Sequence, residues 1–221
     1  MIALVFALVG AESTGKSTLA PALAERIGAE TGLACTHVDE VLRSWCEREG
    51  RVPRPDEQRA VAEAQQRSIE QAASRHDVVI ADTTALTVAV YSRLVYGDRS
   101  LDDWAAGAHA ACVDHTLLTA LDLPWVPDGV QRDGEHVRVP VDSALRELMV
   151  AHRIGWSLVT GSGPLRLDRA FDAVAPWLRT RAPAGSGLFT RLAQRDAAQP
   201  AWRCEHCDDP DCEHRLRTVA R

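Results

Sequence analysis

Gly10-Ala11-Glu12-Ser13-Thr14-Gly15-Lys16-Ser17-Thr18 follows a continuous apolar run over residues 2–9 and precedes the helical spacing Leu19, Leu23, Ile27. Strand, loop and helix thus come in the order that the pattern G-x-x-x-x-G-K-[ST] requires. The glycines let the backbone turn sharply, so that successive N–H groups and the N-terminus of the next helix converge on phosphate oxygens. Lys16 is then placed to bridge the β and γ phosphates of ATP, and Ser17 to offer its hydroxyl to Mg²⁺. Gly10, Glu12, Ser13, Thr14, Gly15 and Thr18 complete the expected nucleotide-binding loop. Such a loop names no reaction by itself, because switches, motors and kinases share it. Lys16 is also the one lysine among 25 basic residues. In so arginine-rich a chain it marks a place where a compact ammonium is needed and a planar guanidinium does not fit.

Downstream, a second strand is predicted over residues 34–38, ending on Asp39 and Glu40. Either acid is placed to hold an acceptor hydroxyl as general base, and either equally suits the start of a helix. The next helical stretch runs through Arg43, Trp45 and Cys46, breaks at Gly50 and the Pro53/Pro55 pair, and resumes over residues 56–75. A third strand over residues 77–82 ends on Asp82. In a parallel sheet the carboxyl ends of neighbouring strands meet above the phosphate loop, so Asp82 is expected to face Mg²⁺ and its waters. A fourth strand is read over residues 113–121. It is followed by a charged segment (Gln131, Arg132, Asp133, Gly134, Glu135, His136, Arg138) that suits a lid placing arginines on a transferring phosphoryl group. The alternative for that segment is a solvated turn. A helix over residues 143–152, a fifth strand over 157–160 and a helix over 167–178 complete the reading.

Five short strands alternating with helices predict an α/β phosphate-loop NTPase fold with a mostly parallel sheet. The expected organisation is a kinase-sized domain over residues 1–180, a connecting arm over 181–200 and a small zinc-binding hairpin over 201–221. The 221 residues, 46% hydrophobic and 25% charged, fit a globular chain and exclude a disordered or collagen-like one. A net charge of −6 argues against the basic footprint of non-specific nucleic-acid binding. The N-terminal apolar run is far shorter than a membrane span and no basic segment precedes it. Three of six cysteines are scattered and three crowd the C-terminus, unlike an extracellular disulfide framework. A cytoplasmic protein is expected.

Beyond the phosphate loop, several further groups of residues carry a resemblance: Glu40 with Arg43, residues 80–83 followed by Thr87, and Pro124-Trp125-Val126 with Asp128-Gly129. Arg138 and the run Leu167-Asp168-Arg169 extend it. Together, over roughly residues 1–180, the chain resembles the nicotinamide riboside kinase domain of bacterial NadR-type proteins, within the phosphate-loop nucleoside kinases. The resemblance implies transfer of the γ-phosphoryl of ATP to the 5′-hydroxyl of a ribosyl pyridine nucleoside. It implies that Lys16 and Ser17 serve ATP and Mg²⁺, that Asp82 with Thr83 serves the metal or acceptor side, and that Glu40 and Arg43 line the acceptor pocket. Arg138 would belong to the lid with Arg132, and Trp125 and Asp128 would shape the base and ribose site. Two departures stand out. The family often carries D-T-D where this chain has Asp82-Thr83-Thr84, and the arginine expected after Asp128-Gly129 is displaced. The reading from a different class is a nucleotide-dependent regulatory ATPase or switch whose zinc element docks a protein or RNA.

Cys204-Glu-His206-Cys207-Asp-Asp-Pro-Asp-Cys212-Glu-His214 has the spacing C-x₂-C-x₄-C-x-H. Cys204 and Cys207 can present two thiolates to one ion, and Cys212 with His214 can complete a tetrahedral, structural Zn²⁺ site, His206 being the alternative fourth ligand. The competing readings are a metal-free tail and a redox C-x-x-C. If the zinc reading holds, Cys207→Ser lowers the zinc content of the purified protein; metal analysis checks this.

Overall fold

The structure, a computed structural model, describes residues 3–126 and 134–181. The chain divides into two units, Met1–Ala182 and Pro183–Arg221. The second unit lies outside the described residues, and with it the expected zinc hairpin and nearly all of the connecting arm.

Five strands, β1 (Leu4–Val9), β2 (Cys35–Val38), β3 (Val78–Asp82), β4 (His115–Thr119) and β5 (Trp156–Val159), form one sheet in the order β2-β3-β1-β4-β5. Every pairing is parallel. The central strand β1 is buried along its whole length, as is β3, which is why both read in sequence as unbroken apolar runs. Alternate side chains of β1 serve opposite faces. Val5 and Val9 join the apolar clusters built with the helices of one face, whereas Phe6 meets Trp177 edge-on at 6.3 Å on the other.

Among the described residues, seven α-helices cover the sheet. α1 (Lys16–Thr31) and α7 (Gly163–Leu178) pack together, and Asp168 of α7 accepts a hydrogen bond from Arg26 of α1 at 2.6 Å. α3 (Gln58–Ala73), α4 (Ala85–Tyr96), α5 (Asp102–Cys112) and α6 (Arg138–Ala151) form the second layer, while α2 (Val41–Glu49) packs against α3. α4 and α5 connect β3 to β4. Residues 85–90 of α4 are all buried, so this helix shows none of the amphipathic spacing that marks a surface helix.

α6 begins at Arg138, five residues ahead of the start expected from the sequence. Pro140 falls in its first turn, where a missing N–H costs no helical hydrogen bond. The expected third, fourth and fifth strands are present and each is shorter or shifted by a few residues, the strand ends being made of loop residues that carry the site.

β1 lies between β3 and β4, although β2 follows it in the chain. The strand order therefore reverses direction at β1, and an open crevice is left at the carboxyl ends of β1, β3 and β4, the usual ligand site of such sheets. One polar bridge spans the layer beneath that crevice. His109 of α5 is buried, its Nδ1 3.0 Å from Thr84 Oγ1 at the start of α4 and its Nε2 2.8 Å from Thr116 Oγ1 on β4. Burial pushes the imidazole pKa down to about 4. The folded state therefore holds His109 neutral while the unfolded chain takes up a proton near pH 6.5. The stability this represents is complete above pH 6.5 and is lost as the pH falls towards 4, by on the order of 3 kcal/mol. Thermal unfolding of the wild type should show that fall in midpoint, and His109→Gln should flatten it.

Candidate active site

The loop between β1 and α1 is shaped by backbone that most side chains avoid. Gly10 has φ 151 and Gly15 φ 77. A side chain on Gly10 would sit 2.2 Å from Thr119 Oγ1, and one on Gly15 would meet Leu123 Cδ1 at 3.0 Å. Thr119, the last residue of β4, props the loop: its hydroxyl lies 2.7 Å from Thr14 Oγ1, which in turn donates to the Ala11 carbonyl at 2.8 Å. On the other side Arg166, 3% exposed in the first turn of α7, donates to the carbonyls of Thr14 and Ala120 at 2.8 and 3.2 Å. Its second nitrogen reaches Asp122 Oδ1 at 2.8 Å and also the Gly161 carbonyl. Partial burial pulls the Asp122 carboxyl upward, but the hydrogen bonds from Arg166 and the Gly161 N–H outweigh it and hold the group below the usual carboxylate range. Arg166 therefore has a charged partner at working pH.

Lys16 Nζ donates to the Gly10 and Ala11 carbonyls at 2.9 and 2.8 Å, curled over its own loop. Gly10, Glu12 to Thr18, Glu40, Arg43 and Thr87 are walls of one continuous cavity of about 820 Å³. The rest of its lining is mainly apolar or aromatic, with Leu42, Cys46, Val95, Tyr91 and Tyr96 opposite the loop. Tyr96 is held by its hydroxyl donating to the Pro53 carbonyl at 2.6 Å.

The two acids after β2 part company here. Glu40, at the cap of α2, faces the cavity and lies 3.9 Å from Arg43 Nε. Asp39 is 89% exposed on its side chain, pairs with His37 at 3.4 Å and is not a wall of the cavity. Gln65 of α3 fixes this junction. Buried, it accepts from the Val41 N–H at 2.7 Å and donates to the Asp39 carbonyl at 3.3 Å and to the Thr83 carbonyl at 3.5 Å.

Asp82 ends β3 level with Leu8 of β1; it is 2% exposed and its Oδ1 has no hydrogen-bond partner among the described residues. Thr83 follows with φ 70, a left-handed conformation that a β-branched residue adopts only under strain, and its N–H donates to the Leu8 carbonyl at 3.0 Å. Thr84, where the sequence resemblance leads one to expect a second acid, caps α4 and pairs with His109. A hard divalent cation shared with phosphate oxygens needs one or two protein oxygens. The Ser17 hydroxyl, exposed in the first turn of α1, and the unpartnered Asp82 oxygen are of the donor type that Mg²⁺ takes; Ser17 lines the cavity, whereas Asp82 is buried and, like Thr83, is not among its walls. Among the described residues no group of three His, Cys, Asp or Glu could hold a metal.

The remaining expected residues are dispersed. Pro124 and Val126 line the cavity and the Val126 carbonyl accepts from Ser13 Oγ at 2.9 Å; Trp125 between them is partly buried and is not a wall. Arg138 is 5% exposed and donates to the Leu123 carbonyl at 2.8 Å, anchoring the segment that packs over Gly15. Asp128, Arg132, Cys204, His206, Cys207, Cys212 and His214 lie outside the described residues. Sequence reasoning missed Thr119, Gln65 and Arg166. Each acts on partners far away in the chain, so no local pattern announces it.

Residues 5–166 match the family described as AAA domain. No curated protein matches the sequence. Among solved structures the fold is similar to that of NadR protein in complex with NAD and AMP-PNP, with a TM-score of 0.65 and 18% identity over 83% of this chain and 51% of that one. It is also similar to NadR protein in complex with NR, with a TM-score of 0.62 and 19% identity over 83% and 53%. This chain thus spans about half the length of those proteins, and the likeness is one of fold. No described helix is long and apolar enough to cross a membrane.

Lys16→Ala should weaken AMP-PNP binding by roughly 10–100-fold, the worth of lost charge-assisted hydrogen bonds, with the thermal midpoint little changed. Arg166→Met should instead lower stability by roughly 2 kcal/mol or more, because three loop carbonyls and Asp122 lose their donor. Calorimetric titration and thermal melts separate the two.

Proposed function

The chain belongs to the AAA domain family, and on that premise we propose that it is an ATP-dependent small-molecule kinase whose acceptor is the 5′-hydroxyl of nicotinamide riboside or a related nucleoside. The observation that carries this reading is the continuity of the cavity. One space of about 820 Å³ is bounded at one side by the phosphate loop and at another by Glu40, Arg43, Thr87 and two tyrosines. A nucleotide switch needs only the first of these walls. A phosphotransferase needs both, with donor and acceptor in one enclosure, since phosphoryl transfer asks mainly for positioning and charge neutralisation. The fold shared with NadR protein bound to AMP-PNP or to NR supports the same assignment.

In this reading the loop amides hold the triphosphate and Lys16 exchanges its loop carbonyls for phosphate oxygens. Ser17 and Asp82 would hold Mg²⁺, which would supply charge neutralisation. The acceptor oxygen attacks the γ phosphorus as the bond to the β–γ bridging oxygen breaks, and ADP leaves. Glu40, the one of the two acids after β2 that faces the cavity, accepts the hydroxyl proton, and Arg43 beside it binds the acceptor. Arg138 keeps the Leu123 segment over the loop; on the sequence resemblance, Trp125 and Asp128 are proposed to shape the base and ribose site and Arg132 to act on the transferring phosphoryl group. The cysteine cluster at residues 204–214 is proposed as a structural zinc clip.

An ATP-consumption assay with Mg²⁺ against a nucleoside panel should yield nicotinamide mononucleotide, identified by mass, from nicotinamide riboside. ATP binding with every nucleoside untouched would overturn the kinase reading in favour of a partner-binding switch. Glu40→Gln should lower kcat by about 10²–10⁴-fold while AMP-PNP affinity holds, as expected for loss of a general base.

A further inference from the structure

Gln58, the first residue of α3, is 5% exposed and is a wall of the cavity. Its Nε2 donates to the Pro53 carbonyl at 2.9 Å, the same oxygen that takes the Tyr96 hydroxyl at 2.6 Å. A carbonyl only accepts, so both partners must donate to it, and the Gln58 amide cannot be turned the other way round. Its Oε1 is thereby directed away from Pro53. That oxygen has no hydrogen-bond partner among the described residues, yet, unlike Asp82 Oδ1, it is not sealed off from solvent. The space it opens to is the cavity that Gln58 lines. The fold therefore fixes a side chain that is nine-tenths buried and leaves its one acceptor for a ligand.

The place of this amide narrows which ligand. Thr87, in the first turn of α4, and Tyr96, its last residue, are both walls, so the cavity follows this helix for about 14 Å of its length. Gln58 and Tyr96 meet at Pro53, at the end of α4 remote from the carboxyl end of β3. An acceptor with its 5′-hydroxyl turned to Glu40 and the γ-phosphoryl brings its opposite end, the substituent on the base, to that corner. The amide edge left to the cavity has the Oε1 acceptor and the second N–H of Nε2. A primary carboxamide has the converse pair, an N–H donor and a carbonyl oxygen. A carboxylate of the same shape has no donor, and one of its oxygens would be set against Oε1. The cations among the described walls are Lys16 on the loop and Arg43 beside Glu40, while Val52 and Val95, which flank the corner in the chain, are apolar walls.

We propose that Gln58 is a specificity residue of the acceptor pocket, pairing with a primary carboxamide on the base and making the chain selective for the amide over the corresponding acid. This rests on the kinase reading and deepens it.

The test compares kcat/KM for nicotinamide riboside and nicotinic acid riboside at saturating MgATP in the wild type, Gln58→Met, Gln58→Lys and Tyr96→Phe. AMP-PNP affinity and the thermal midpoint are measured for each protein. The wild type should prefer the amide by at least roughly tenfold. Gln58→Met keeps the length of the side chain without its oxygen, and should bring the preference to within about threefold through a higher KM for the amide, with AMP-PNP affinity within about twofold of the wild type. Gln58→Lys puts a cation in the corner and should turn the preference towards the acid. Tyr96→Phe removes the other donor to Pro53 but leaves Gln58 Oε1, and should keep the preference for the amide. Gln58→Lys and the wild-type ratio decide the matter if Gln58→Met fails to fold. A wild type that takes both nucleosides equally, or prefers the acid, overturns the specificity role and leaves the kinase standing. So does a Gln58→Met enzyme that loses activity equally towards both, since the glutamine then serves only to hold Pro53. A wild type that phosphorylates neither nucleoside overturns the kinase reading and the specificity role together.

Discussion

A phosphate-binding loop must hold its amides outward, ready for an anion, and so cannot be stabilised by folding those amides back on itself. The rest of the structure answers that constraint. Thr119 from β4 and Arg166 from α7 take the oxygens of the loop: the threonine pair fixes Thr14 and Ala11, and the guanidinium holds the Thr14 carbonyl. Support comes through carbonyls and hydroxyls, leaving the donors for a ligand. Gly10 and Gly15 are glycines for the same reason, since Thr119 and Leu123 press against the places where their side chains would be.

The price of this arrangement is a set of buried polar groups placed by remote elements. Gln65 ties the ends of β2 and β3 together through the Asp39 and Thr83 carbonyls and the Val41 N–H. That junction turns Glu40 into the cavity and leaves Asp39 in solvent. Thr83 is held in a left-handed conformation at the same junction, and Asp82 beside it keeps an oxygen without a partner. Strain and unmet hydrogen bonds gather at the carboxyl ends of β1 and β3, where ligand chemistry can relieve them.

Thr84 stands where the sequence resemblance leads one to expect an acid. A carboxylate at its position would lie against buried, neutral His109 in a site that penalises charge. The threonine instead caps α4 through its Oγ1, which accepts from Leu86 N–H at 3.3 Å, and shares His109 with Thr116. Thr84 thus belongs to an uncharged network beneath the site.

The order of elements, the phosphate loop, Lys16, Ser17 and the acid ending β3 were legible in the sequence because each is a local pattern: a buried strand is an unbroken apolar run and the loop is nine consecutive residues. α4 was not, because its first half is wholly buried and its exposed end is apolar, leaving no polar stripe, and the start of α6 lies five residues ahead of the expected one. That Glu40 lines the cavity while Asp39 does not, and that Thr119 and Arg166 prop the loop, were decided by tertiary structure alone. The physical reason is the strand order. Placing β1 between β3 and β4 brings together residues that lie up to 152 positions apart, as Thr14 and Arg166 do, and hydrophobic periodicity along the chain carries no record of which strands become neighbours.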